Sequence, residues 1–254
     1  MPYFSYNTQQ LFYAHHKGNE KRPSLLLIHG AGGNRTHWPK TLRPLADYET
    51  FVLDLPGHGR SALPGCTTID AYAAVVTAFI NHLARPLVLI GHSMGGGIVQ
   101  TIAAQHNLHV VAQVLIGTSP RLPVGAAILD NALHNPPQAI AFIAKYAWSD
   151  TAPQTMMNQT HQALAEVPPT VLHSDFAACN QFDMTERLGT IQLPTLVISG
   201  SEDKMTPAKY GRFLADMIPN AQYSCLEGVG HFIILEQPNQ TAALIKQFLE
   251  QRSG

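Results

Sequence analysis

Ser93 lies at the centre of Gly91-His92-Ser93-Met94-Gly95, directly after the apolar run Leu87-Val88-Leu89-Ile90. Glycines two positions either side of a serine, between a strand and a helix, make the tight turn that presents a nucleophilic hydroxyl. Gly96 and Gly97 extend the permissive stretch. Amide groups at the start of the following helix point to where negative charge develops on an attacked carbonyl. Such a serine needs a base. Gly228-Val229-Gly230-His231 supplies an imidazole on a glycine-rich loop, able to take the serine proton and return it to a leaving group. Glu202 and Asp203 follow the apolar run at 195–199, and either carboxylate can hold the imidazole in the required tautomer. His92 is the variable position of the serine turn and is not read as the base. A second glycine-rich bend, His29-Gly30-Ala31-Gly32-Gly33, follows another apolar run. It lacks the lysine and hydroxyl residue of a nucleotide loop and the dinucleotide pattern, so no NAD or nucleotide cofactor is expected.

Placing these residues requires strands that end at them. Short apolar runs at 25–28, 51–53, 87–90, 111–116, 195–199 and 222–226 alternate with helical periodicity at 69–83, 95–106, 207–217 and 240–248. This alternation predicts an α/β fold, a mostly parallel central sheet flanked by helices. Residues 3–6 and 11–15 read as an edge hairpin turning at Asn7 and Thr8. Asp70 is placed to cap or begin the first helix, and Pro207 to occupy the first turn of a later one. Between 120 and 188 the alternation lapses. Candidate helices at 126–133, 137–148 and 153–164 are separated by prolines, with no convincing strand among them. That length suits an inserted helical cap rather than a loop. The expected organisation is therefore a core of residues 1–119 and 189–254 interrupted by a cap of residues 120–188. Phe142, Tyr146 and Trp148 in the cap are read as packing residues, with pocket lining as the alternative.

The chain's 254 residues suit one large domain with an insertion. Apolar residues make up 45% and charged residues 13%, which supports a substantial core and excludes a disordered chain. A formal charge of -1 without a basic stripe argues against nucleic-acid or anionic-membrane partners. Cys66, Cys179 and Cys225 form no close pair, so reduced thiols in a cytoplasmic protein are expected. The first ten residues lack the pattern of a secretory signal, and residues 252–254 are expected to fray. No metal is expected: the histidines form no ligand cluster, and His15 and His16 point apart if they lie on a strand.

Four segments in this order resemble the α/β-hydrolase superfamily from about residue 3 to 249: His29 to Gly33, Asp54-Leu55-Pro56-Gly57-His58-Gly59-Arg60-Ser61, the Ser93 turn, and the Asp203 and His231 loops. Within it the chain is most similar to capped carboxylesterases and lactonases. The resemblance implies Ser93 as nucleophile, Asp203 rather than Glu202 as the acid, and His231 as base. It also implies an oxyanion hole from the backbone N–H groups of Ala31 and Met94, with His29, Asp54, Arg60 and Ser61 as loop supports. The implied reaction is hydrolysis of a small to medium carboxylic ester or lactone through an acyl-enzyme, by a monomer or homodimer without a cofactor. Alternatives are a carbon–carbon bond hydrolase, which would need anchors such as Arg121, Lys145 or Arg187, a perhydrolase, a lyase, or a catalytically weak ligand-binding receptor.

Overall fold

A computed structural model describes residues 2–45 and 47–252; the fraying expected at Ser253 and Gly254 lies outside them. In chain order the elements are β1 (Tyr3–Tyr6), β2 (Gln9–His16), β3 (Ser24–Ile28), β4 (Thr50–Leu53), α1 (Ile69–Leu83), β5 (Leu87–His92), α2 (Met94–Ala103) and β6 (Val110–Ile116). Four helices follow: α3 (Ala126–His134), α4 (Pro136–Tyr146), α5 (Gln154–Ala165) and α6 (Pro169–Gln181). The chain then returns to the sheet with β7 (Thr195–Gly200), α7 (Ala208–Met217), β8 (Ala221–Leu226), α8 (Ile233–Glu236) and α9 (Pro238–Glu250). Among the described residues no helix is long and apolar enough to cross a membrane.

The eight strands form one sheet in the order β1-β2-β4-β3-β5-β6-β7-β8. β1 and β2 pair antiparallel and β2 joins β4 antiparallel, whereas every other pairing is parallel. Alternate residues of a strand face opposite sides of a sheet, and β3 uses this to feed two cores. Leu26 and Ile28 join the layer containing Tyr72, Phe79 and Ile98. Leu25 and Leu27 join the layer containing Trp38, Ile245 and Phe248. Every residue of β3 and β5 is buried, as expected for central strands covered on both faces. From β3 the chain goes one way to β4 and then crosses back to β5. The crevice at the carboxyl ends of β3 and β5 is therefore a topological switch point, where α/β sheets place ligands.

Helices α3 to α6 form a cap between β6 and β7, with its own cluster including Ile140, Trp148, Leu164 and Phe176. At its base, Arg121 pairs with Asp183 through an isolated β-bridge. Of the two places expected for Asp70, cap or start of α1, the structure shows the start: Thr68 caps the helix by accepting the Ala71 N–H, and Asp70 lies in the first turn. Two other local expectations change. Pro207 is the N-cap of α7 rather than a first-turn residue. Helix α6 has no counterpart among the expected cap helices, because its buried face carries Asp175 and breaks the apolar pattern.

Candidate active site

Ser93 joins β5 to α2 with φ 54 and ψ -121, a backbone conformation uncommon for a residue with a side chain. The flanking glycines allow it. A Cβ on Gly91 would stand 2.3 Å from the Gly95 carbonyl oxygen, and one on Gly95 would stand 2.2 Å from that of Ile28. The turn is thus packed backbone on backbone, and the hydroxyl has one way out.

His231 meets it from the loop after β8. Its Nε2 lies 2.9 Å from Ser93 Oγ, and its Nδ1 lies 2.9 Å from Asp203 Oδ2. Because the carboxylate accepts, Nδ1 carries the proton and Nε2 is free to accept from the serine. Asp203 also accepts the amides of Met205 and Thr206 on Oδ1 and the Thr206 hydroxyl, at 2.7 Å, on Oδ2. Burial alone would raise the Asp203 pKa, but His231 and the Thr206 donors bring it below the ordinary aspartate value. Glu202, the sequence competitor, faces away and accepts the Asp150 amide. The three residues sought for a serine-dependent hydrolase therefore stand in one hydrogen-bonded line.

The cap helps to place the histidine. The His231 amide donates to the Ala147 carbonyl at 2.7 Å, just past α4. Gly230 permits this approach, since a Cβ there would lie 2.5 Å from the Ser149 nitrogen. His92 donates from Nε2 to the His231 carbonyl, and burial lowers its pKa to about 3. It braces the loop as a neutral ring.

Ala31 and Met94 flank the serine from the β3 bend and the start of α2. Neither backbone N–H donates to any other described residue, so both remain open to an incoming oxygen. Behind the bend, His29 accepts the Leu55 amide on Nε2 and bonds the Gly30 carbonyl through Nδ1. Asp54 accepts from the Arg35 guanidinium and from the Arg35 and Arg60 amides. Ser61 bridges the Asp54 carbonyl to the Phe12 amide. These segments support loops.

Above Ser93 is a cavity of about 90 Å³. Core loops contribute Ala31, His37 and Met205; the cap side contributes Leu122, Ile143, Leu164 and Phe176. Phe232 lines the cavity and also packs on Trp148 at 4.8 Å between ring centroids. Phe142, Tyr146 and Trp148 do not line it. Sequence reasoning missed three residues here. Thr206 secures Asp203; His37 is a lining imidazole whose pKa burial lowers to about 4; Asp175 bonds the oxyanion-side bend. Only Asp175 left a signal. With Val171, Leu172, Phe176 and Cys179 it shares the buried face of α6, a charge where helical periodicity demands an apolar residue.

The sheet, the elbow and the hydrogen-bonded line define a serine hydrolase of α/β type. The chain belongs to the alpha/beta hydrolase family, whose profile matches residues 25–244. It is similar to the pimeloyl-[acyl-carrier protein] methyl ester esterase of Aromatoleum aromaticum, at 29% identity over 248 residues covering 89% of this chain and 97% of that protein. It is also similar to the monoacylglycerol lipase ABHD6 of Mus musculus, at 25% identity over 94% of this chain and 82% of that one. The solved structure of a thermophilic esterase superposes with a TM-score of 0.87 at 27% identity, covering 99% of this chain and 98% of its own.

Proposed function

We propose that this protein hydrolyses small to medium carboxylic esters or lactones, with Ser93 as nucleophile, His231 as general base and Asp203 orienting the base. The observation that carries the reading is the unbroken line from Asp203 through His231 to Ser93 at the floor of an apolar cavity. Ser93 Oγ attacks the carbonyl carbon as its proton passes to His231 Nε2. The carbonyl oxygen becomes an oxyanion held by the Ala31 and Met94 amides, each such donor contributing about 3 kcal/mol. Collapse expels the alcohol, which takes the proton from His231. Water, deprotonated by the same imidazole, then attacks the acyl carbon, and His231 returns the proton to Ser93 Oγ as the acid leaves.

The relatives named for ester cleavage support this chemistry. Cavity size supports a short group beside the serine, since about 90 Å³ is smaller than the roughly 150 Å³ cavity that holds benzene in another protein. No lysine or arginine among the described residues lines the cavity, so the carbon–carbon reading lacks its basic anchor at Ser93. Arg121 instead pairs with Asp183 at the cap base. The near-neutral charge speaks against nucleic-acid or anionic-membrane partners, and the reading extends to a cytoplasmic monomer or homodimer acting on a small molecule, with residues 120–188 as the unit that selects substrate.

A chain-length series of p-nitrophenyl esters, run after a fluorophosphonate label has been mapped, tests the reading. We expect labelling at Ser93 and an optimum at short to medium acyl groups. An optimum beyond about twelve carbons overturns the size assignment. Labelling with negligible turnover across the panel overturns the enzyme in favour of a receptor.

A further inference from the structure

Asp175 is fully buried on α6, in the cap, yet each of its contacts here is with the catalytic core. Its Oδ2 accepts the Gly32 amide at 2.7 Å and faces His58 Nε2 at 2.8 Å, while its Oδ1 accepts the Tyr72 hydroxyl at 2.6 Å. Three separate core segments thus converge on one cap carboxylate: the bend after β3, the loop after β4, and α1.

The protonation state follows from the donors. His58 Nδ1 lies 2.9 Å from the Pro56 carbonyl oxygen, which can only accept. His58 Nε2 faces a carboxylate oxygen already accepting an amide. Both ring nitrogens therefore carry hydrogens, making His58 an imidazolium and the pair a dry ion pair, with no side-chain exposure on either partner. Burial opposes that charge, but Asp175 and the Pro56 carbonyl raise the His58 pKa above its ordinary value. A carboxylate buried without such partners would be strongly unfavourable.

Its geometry matters because of where the Gly32 bond falls. Gly32 directly follows Ala31, has φ +63, and lies so close to the cap that a Cβ would stand 2.7 Å from a Leu164 methyl group. Within the bend, the Gly33 amide closes on the Gly30 carbonyl at 3.0 Å. The bond to Asp175 ties this small turn to another part of the chain.

We propose that Asp175 is a positioning residue for the oxyanion hole: by holding the Gly32 amide from the cap, it sets the direction of the adjacent Ala31 N–H. Cap seating and transition-state stabilisation then become one event, and a cap lifted from α1 leaves Ser93 activated but its oxyanion poorly held. This rests on Ala31 being an oxyanion donor.

The test compares a p-nitrophenyl ester with its thionoester, whose sulfur is a poor acceptor in an oxyanion hole. Asp175→Asn should lower kcat for the ester roughly 10- to 100-fold with KM within about twofold, and the ester-to-thionoester rate ratio should fall with it. A merely structural role would lower both rates together, so an unchanged ratio in folded Asp175→Asn overturns the proposal. Should that variant fail to fold, Tyr72→Phe removes one of the carboxylate's donors and should lower the ratio several-fold; no change there overturns it equally. A folded Ala31→Pro variant separates the two readings. If it leaves the ratio at the wild-type value, the donor role of Ala31 fails and the proposal with it. If it collapses the ratio while Asp175→Asn does not, only the role of Asp175 fails.

Discussion

The floor and the roof of the cavity at Ser93 are built in different ways. On the floor, position is set by main chain packed on main chain: Gly91 against Gly95, Gly95 against Ile28, and Gly200 against Val229, each closer than a Cβ allows. The reacting groups project from strand ends that the whole sheet holds in register. On the roof, α4 to α6 contribute side chains such as Ile143, Leu164 and Phe176 from a separate apolar cluster. Many apolar combinations fill such a cluster equally well. The proposed chemistry thus falls on the floor and the proposed selectivity on the roof, with Asp175 and the Ala147 carbonyl as polar ties between them.

Ser93→Ala breaks the comparison most strongly on the floor. We expect a loss in kcat on the order of a million-fold, with the melting temperature of the wild type retained or raised because a strained residue remains packed. Measurable turnover at the wild-type rate would remove Ser93 from the mechanism. Asp203→Asn comes next, with a fall of about 10⁴-fold from the wrong imidazole tautomer. Glu202→Gln should stay within about threefold, since Glu202 accepts the Asp150 amide on the cap side. A reversed order of these two variants exchanges their roles.

On the roof, Leu164→Ala should cost about 2–5 kcal/mol in denaturant unfolding while extending the accepted acyl chain. A lower stability with an unmoved chain-length optimum would show that Leu164 packs without selecting. The smallest effect is pH-dependent. With its folded pKa raised, His58 contributes stability fully below 6.5, and that contribution is lost as pH rises through the raised value. Around it, burial keeps His29 and His37 below their ordinary values, Tyr72 is pushed far above its own, and the Asp54 and Asp175 carboxylates favour the charge. Melting temperature should therefore decline on the alkaline side, and the decline should be absent in His58→Gln. Its persistence in that variant would place the titration elsewhere.

Much of the floor was legible because local rules constrain it. Glycine spacing around Ser93 and before His231 reflects backbone approaches that tolerate no side chain. The strands ending there are continuous apolar runs because both faces are covered. The roof was legible as a lapse in alternation, and three of its helices stood out between prolines. Helix α6 did not, since Asp175 sits where its apolar stripe should continue. Thr68 was likewise overlooked as a cap beside the more acidic Asp70.

The sequence by itself determined the α/β class, the nucleophile turn and the histidine loop, because each depends on neighbours within a few positions. Between Glu202 and Asp203 it left two carboxylates of equal chemistry, which only family registration ranked. Tertiary structure separates them, burying Asp203 against Thr206 and His231 and turning Glu202 to the cap. It alone brought Asp175 to Gly32, 143 positions apart, and sized the cavity. Those outcomes depend on how distant surfaces meet, and no local pattern encodes the meeting.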